Sequence, residues 1–527
     1  MNDKLANVGF QMGAVSLGLG AFGGTVDLLH ACRRGYEAWR GLSGLDQDLA
    51  VLRAKLVLQQ GLFEQWQRDW YNFAVKNKVS VEKLRLLKEH SRTVEPALDS
   101  VRNLIDGMKA LRDYAATGQT PTGVDRLKWV ANETESSKKA LNEIESLLAG
   151  LYRLLPPRSP NIEAAQIIIS MSSQQESSGA VEALLQAEST SAVVSGTLSL
   201  RRAEKSLQEN LQSRVDRMKS QPPTPNVLVA TARCKVLQPD SISAGFRSFG
   251  TLDGKPAVFE WKKYDPSWQG RKGIELRGRV DNLARLLNTD KKPQELLILH
   301  CEGYFDSPGE SRYGFVFLLP QPSDGNPYSL RSMIDEPALE RLPTLEDRYQ
   351  LAYSLSLSIA ILHTAEWLHK SIRSHNVLFM SQNQRIVWSR PYLVGFEYSR
   401  PDKPDESSEK LEQSARFNLY RHPLSQGSPN ETYRKLFDYY SFGVMLLEIG
   451  MWRSVWKFWR EGVSADAFKN ELIATASGKL PHFMGVEYAE ATLKCLRGDL
   501  EARDYLILKA FFVEVVEVLG RYTVKTL

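Results

Sequence analysis

The chain has 527 residues, 43% hydrophobic and 24% charged, a size too large for one core and a composition ordinary for a globular protein of two or three domains. Its 67 basic and 62 acidic residues leave a net charge of +5 with no long Lys/Arg block, so nucleic acid is not an expected partner. The four cysteines, Cys32, Cys234, Cys301 and Cys495, form neither a CxxC pair nor a disulfide framework, which predicts a reducing, cytoplasmic setting.

The first residues lack the usual basic region of a signal peptide. Ala6 to Val26 then runs 21 residues without a charge. As a helix this run would span roughly 30 Å, about the thickness of a bilayer core. Gly9 with Gly13, and Gly20 with Gly24, have the small-xxx-small spacing that lets membrane helices approach closely. Two readings stay open: a glycine-rich first helix buried in a bundle, or a membrane segment exposed only in one state.

Residues 1–157 read as helices throughout. Leu45, Leu49, Leu52, Leu56 and Phe63 make one apolar stripe. Val94, Leu98, Val101, Ile105, Met108 and Leu111 make a second, and Leu141, Ile144, Leu148, Leu151 and Leu155 a third. Trp66, Trp70, Tyr71 and Trp129 are expected to fill the core between them. Breaks at Gly41–Gly44 and Thr117–Gly123, and the closing Pro156-Pro157, fit a bundle of four or five helices. The uncharged glycine-rich start, the following LLHACRRGYEAWRG and the leucine stripes ending in Pro-Pro resemble the fungal HeLo and HeLo-like domains, of the prion-inhibition and propagation type, found on incompatibility and cell-death proteins. That resemblance implies membrane insertion by Ala6–Val26 on activation, with Arg33, Arg34 and Arg40 near the lipid headgroups.

Residues 158–225 read as a polar linker with helical pieces, ending at Gln221-Pro-Pro-Thr-Pro225. From 226 to 527 strands come first and helices follow. VLVATARCKVL, FRSFG and AVFEWKK, then ELLILHCEGYF and YGFVFLLP, predict an antiparallel lobe; after Pro343 the pattern is helical.

Trp367 to Phe379 reads WLHKSIRSHNVLF, and Asp438 to Ile449 reads DYYSFGVMLLEI. Together they resemble the catalytic loop and the following bracing helix of the protein kinases. The fold class expected is therefore an N-terminal all-α bundle joined to a C-terminal α+β bilobal kinase-like domain. His369, Asn376, Asp438, Ser441, Gly443 and Glu448 match the family pattern, but Ser371 stands where the catalytic Asp should be. In the metal-binding stretch Leu393-Val-Gly-Phe-Glu397, Phe396 fits, while Gly395 takes the Asp position and Glu397 the Gly position. The resemblance assigns nucleotide contact to Lys262 and Asn376, with Glu260 where a small residue normally touches adenine. Arg279 holds the place of that lysine's Glu partner, and Gly245, Gly250 and Gly254 only loosely follow the phosphate-covering loop. Tyr420-Arg-His-Pro-Leu424 keeps the proline of another kinase motif but not its Glu.

No catalytic set and no metal site is read from these residues. Asn376 alone is a poor magnesium ligand, so ATP with magnesium is disfavoured, with Glu397 the one acid placed to substitute. Ser407, Ser408 and Ser414 lie in a polar segment that reads first as a solvated mobile loop and second as a target of an upstream kinase. His363, His369 and His375 are expected as satisfied or surface histidines, and Trp452, Trp456 and Trp459 as core of the large lobe. The plan, a pseudokinase holding a membrane-targeting bundle in check, is similar to the mixed-lineage-kinase-like necroptosis executioners. It implies protein partners, an upstream kinase and conditional membrane lipid. The alternatives are an active or weakly active ATP-dependent Ser/Thr kinase and a non-catalytic scaffold.

Overall fold

The computed structural model describes residues 23–40, 42, 47–71, 81–122, 125–152, 196–197, 199–200, 227–239, 246–267, 271–289, 292–321, 325–337, 342–382, 385–402, 414–427, 432–500 and 504–523. Two compact units divide the chain, Met1–Thr190 and Ser191–Leu527. Gly9, Gly13 and Gly20 lie outside the described residues, as do Leu45, Leu155, Ser407, Ser408 and the linker sequences ahead of Gly196; Gly24 falls in the first turn of the first described helix.

The N-terminal unit is helical: α1 (Gly23–Arg40), α2 (Gln47–Tyr71), α3 (Val81–Gly107), α4 (Lys109–Thr117) and α5 (Arg126–Tyr152). α1 packs on α2 and α3, and α5 packs on α2 and α3. The three leucine stripes meet in one core, from Leu49, Leu52, Leu56 and Phe63 through Val94, Leu98, Val101, Ile105 and Leu111 to Leu141, Ile144, Leu148 and Leu151. The second stripe spans two helices, because the chain turns at Met108, itself buried, between α3 and α4. α4 ends on Gly118, whose φ of 71° gives the left-handed cap. Trp66 is fully enclosed, and its indole N–H donates to the Leu151 carbonyl at 3.0 Å, tying α2 to the end of α5. Trp129 departs from expectation. It is half-buried and meets Tyr114 edge-on at 5.6 Å, at the side of the bundle rather than in its centre. Among the described residues no helix is long and apolar enough to cross a membrane.

The C-terminal unit opens with β1 (Cys234–Pro239), β2 (Arg247–Leu252), β3 (Lys255–Lys263), α6 (Arg271–Asn288), β4 (His300–Ser307) and β5 (Arg312–Leu318). The five strands form one antiparallel sheet in the order β1-β2-β3-β5-β4, with α6 packed on β4. Asp253-Gly254, both at positive φ, turn the β2–β3 hairpin as an Asp-Gly pair favours. β3 is the central strand, and Ala257 to Lys262 are all buried on both faces.

Then follow β6 (Tyr328–Ser329), α7 (Leu330–Asp335), α8 (Leu345–Thr364), β7 (Trp367–Leu368), β8 (Val377–Phe379), β9 (Ser381–Gln382), β10 (Arg385–Ile386), β11 (Tyr392–Leu393), β12 (Arg400–Pro401) and α9 (Ala415–Asn418). The chain ends in α10 (Lys435–Met451), α11 (Ala465–Gly478), α12 (Leu480–Met484), α13 (Val486–Arg497), α14 (Asp504–Phe511) and α15 (Glu517–Gly520), with a π-helical turn at Phe512–Val516. α8 starts on a capping box between Thr344 and Asp347 and is buried without a break from Leu351 to Thr364. α10 is buried from Leu436 to Gly450, so both are central helices rather than amphipathic surface ones. α13 crosses α10 at Gly443, where a Cβ would stand 2.7 Å from the Cβ of Cys495. Only glycine admits that approach.

Trp452, Trp456 and Trp459 are not core. All three are half-buried, because Trp452 takes a left-handed φ of 48° that ends α10, and a one-turn 3-10 segment (Val455–Phe458) follows. The helical spacing that suggested one buried stripe does not apply to that backbone.

Replacing Trp66 by Ala removes the largest filled volume between α2 and α5 and orphans the Leu151 carbonyl. We expect a loss of about 3–5 kcal/mol in the unfolding of the N-terminal unit, read by denaturant titration, against roughly 1–2 kcal/mol for Trp66→Phe.

Candidate functional site

The loop from Ala365 to Asn376 turns sharply twice, with Glu366 at φ 59° and Lys370 at φ 65°, left-handed positions that a non-glycine residue holds only under outside constraint. Asp438 supplies it. From the first turn of α10 its fully buried carboxylate accepts from the backbone N–H of His369 (2.8 Å) and Lys370 (2.9 Å), from His363 Nε2 (3.0 Å) and from the Tyr433 hydroxyl (2.8 Å). Burial alone would push this carboxyl up, but the His363 bond and the other donors outweigh it and hold the pKa below the usual value.

His369 lies beneath the loop with its ring 4.7 Å from that of Phe396. Its Nδ1 accepts from the Ser371 N–H at 3.2 Å, and burial drives its pKa down to about 4, so the imidazole is neutral. Ser371 donates its hydroxyl to Glu397 Oε1 at 3.3 Å, and its carbonyl accepts from Asn376 Nδ2 at 2.9 Å. Arg373 pairs with the same Glu397 oxygen at 3.3 Å, both side chains 3% exposed, and lays its guanidinium 3.8 Å over Phe417. The Glu397 backbone carbonyl accepts from Lys262 Nζ at 2.6 Å.

Glu260 closes the cluster from the central strand. One carboxylate oxygen accepts from the Gly395 N–H (2.5 Å) and the other from the Phe396 N–H (2.9 Å). Its fully buried carboxyl is pushed up to about 7, by desolvation first and by Glu397 second, against the pull of Arg247 and the two amides. Arg247, opposite Glu260 in the β2–β3 register and 2% exposed, donates to the His375 carbonyl at 2.9 Å. At the position where the resemblance has a small residue touching adenine, Glu260 clamps two backbone amides.

Gly395 sits at φ 90°, and a Cβ built there would overlap the Asn376 side-chain amide. An acidic side chain at this position therefore needs both a strained backbone and a displaced Asn376. Beside the cluster lies a small hollow lined by Lys262, Arg279, Lys370 and Arg400 with Tyr398, Ser399, Val280, Leu283 and Phe315, which admits little more than one water molecule. Four cations and no carboxylate line it.

Magnesium does not fit this arrangement. It needs several carboxylate, phosphate or water oxygens in octahedral array. Glu397 is held by Ser371 and Arg373, Glu260 by two amides, and Asn376 turns its Nδ2 to the loop. Among the described residues no group of three or more His, Cys, Asp or Glu side chains could hold a metal ion.

The structure thus brings Lys262, His369, Ser371, Asn376, Gly395, Phe396 and Asp438 into one cluster, while Gly443 stands apart at the helix crossing. His363 and His375 are also buried, the first on Asp438. Sequence reasoning missed the roles of Arg247 and Arg373 and the inward turn of Glu260. The available signals were single charges set in otherwise apolar or backbone-turning stretches, FEW in β3 and SIRS in the loop.

Residues 11–122 match the HeLo family, described as prion-inhibition and propagation. The N-terminal unit carries a HeLo domain. Residues 280–504 match a domain of unknown function, DUF7580, which takes in Ser371, Asn376, Gly395 and Asp438 but starts after Glu260 and Lys262. No curated protein matches the chain.

Asp438→Asn puts an amide NH₂ in place of one oxygen, against the two donors that oxygen accepts from. Expected is a loss of about 3–5 kcal/mol in thermal or denaturant unfolding of the C-terminal unit; a loss under about 1 kcal/mol would show that the loop holds its shape without this carboxylate. Glu260 carries a pH signature of opposite sign to an ordinary carboxylate. Its folded pKa is raised to about 7 from 4.5, so its stabilising share is complete below 4.5 and is lost as pH rises through 7. The Tm of Glu260→Gln should accordingly gain on that of the unaltered protein between pH 4.5 and pH 7 and hold level above that; a difference flat from pH 4.5 to pH 7 would mean the carboxyl keeps its ordinary pKa.

Proposed function

We propose that this is a signalling protein of the fungal cell-death, heterokaryon-incompatibility type, in which a catalytically degenerate kinase-like unit regulates a membrane-targeting HeLo bundle. The HeLo match and the single helical core of residues 29–151 support the first half. Support for a kinase-like C-terminal unit comes from the antiparallel sheet followed by helices, from Asp438 bracing the Lys370 loop, and from Lys262 reaching across to Glu397. The observation that carries the non-catalytic reading is Gly395: its φ of 90° and its contact with Asn376 leave no place for a metal-binding acid. Regulation then rests on binding. Protein partners or an upstream kinase would shift a packing whose two states differ by only a few kcal/mol, and lipid would enter as the partner of the released bundle.

Two experiments separate the halves. ATP with magnesium should leave the Tm of the full chain unchanged, and Gly395→Asp should lower the Tm without creating phosphate transfer. Magnesium-dependent transfer by that variant, lost again with Lys262→Ala, would instead favour an active kinase ancestry still within one substitution of function. For the bundle, residues 1–190 alone should release dye from lipid vesicles while the full chain does not. Silence of both under all lipid compositions would remove the executioner role and leave a scaffold.

A further inference from the structure

Met451 to Arg460 reads MWRSVWKFWR, four aromatic rings and three cations with no carboxylate between Glu448 and Glu461. The backbone of this stretch is anchored inward. The Arg453 N–H donates to the Glu448 carbonyl at 3.2 Å, the Val455 N–H to Glu448 Oε1 at 2.9 Å, and the Trp456 N–H to Ser454 Oγ at 3.1 Å, with Ser454 and Val455 buried. What remains outside is the aromatic set. Trp456 and Trp459 stack at 4.8 Å, Trp452 meets Trp388 edge-on at 5.7 Å, and these rings and that of Phe458 are all half-buried. Arg453, Lys457 and Arg460 stand exposed among them, Arg453 5.3 Å over the Phe458 ring, and none of the three pairs with a carboxylate among the described residues.

Half-wet indoles interleaved with unpaired cations are costly to leave in water and suited to a boundary between apolar and anionic material. A peptide ligand would need a groove or a strand edge to satisfy its backbone. This surface is a tight turn and one 3-10 turn, and offers neither. A lipid surface needs only rings at headgroup depth and cations above them. We propose that the Trp452–Arg460 surface of the C-terminal unit is a peripheral contact for anionic phospholipid. It is independent of the bundle, and stands whether or not the HeLo unit permeabilises membranes.

The test uses the full chain and phosphatidylcholine vesicles with or without phosphatidylserine. The charge reversal R453E/K457E/R460E alters exposed side chains and should leave the Tm unchanged. It should weaken sedimentation with phosphatidylserine vesicles by at least about tenfold, since each cation near such a surface contributes roughly a factor of five, with no effect on phosphatidylcholine alone. In vesicles brominated on the acyl chains, W456F/W459F should lose a large part of the tryptophan quenching seen in the unaltered protein. Vesicle binding and quenching that survive both variants would overturn the proposal and assign lipid contact to other residues. Binding of soluble polyglutamate that the charge reversal abolishes, with vesicle binding intact, would overturn it in favour of an acidic protein partner.

Discussion

One carboxylate decides the geometry of the C-terminal unit. Asp438 collects two backbone amides, an imidazole and a phenol, and so joins the end of α8, the left-handed loop at Lys370 and the head of α10 at a single point. Both helices are buried almost end to end; His363 on Asp438 ties them near one end, and Arg348, donating to the Gly450 carbonyl at 3.0 Å, ties them near the other. Apolar packing alone would allow them to slide. A charge with four directional donors does not, because any shift leaves a buried ion short of partners, and that penalty exceeds what most apolar rearrangements return. The loop's positive φ at Lys370 is tolerable for the same reason: the strain of roughly 1–3 kcal/mol is offset by the bonds it makes possible.

The cluster around Gly395 follows the same rule with more charges. Glu260, Glu397, Lys262, Arg247 and Arg373 are all buried, and the structure settles them by neutralising within the chain: carboxylate on amides, carboxylate on guanidinium, ammonium on a carbonyl. Each takes the partner that a bound nucleotide or metal would need. An active phosphoryl-transfer site holds such groups apart, aimed at a ligand, at some cost in stability. Here they are aimed at one another. Ser371 and Gly395 both add internal contact: the Ser371 hydroxyl serves Glu397, and the absent side chain of Gly395 makes room for the Asn376 amide.

Much of this was legible in the sequence, and the failures have definite causes. The leucine stripes identified the bundle core because burial in a helix repeats with its period, and the strands of the sheet were marked by their apolar runs. The resemblance to kinase motifs also drew attention to Ser371, Asn376, Gly395 and Asp438, which the structure places together. What pattern reasoning could not give was the direction of a side chain within a buried strand. Glu260 looked like a hole for adenine lined with the wrong charge; its rotamer points to the Gly395 and Phe396 amides, a contact 135 residues away that no local signal encodes. The tryptophans failed differently. The rule of helical spacing was sound, but the helix stopped at Trp452, where a left-handed residue followed by a 3-10 turn changed the period and left the rings at the surface.

A site closed in this way is open to anions from one side only. Lys262, Arg279, Lys370 and Arg400 border the hollow beside the cluster, while the carboxylates face away from it into the chain. An anionic group arriving there would meet four cations but would have to draw Lys262 from the Glu397 carbonyl, and so disturb the segment that Glu260 and Arg373 hold. Glu260, with its carboxyl near neutrality, is the member of that group whose charge changes most readily in response. Disturbance at the hollow would therefore reach β3, the Ser371 loop and the Gly395 turn together, since one set of buried charges is shared among them. With that sharing, a local binding event at the hollow could not be absorbed locally.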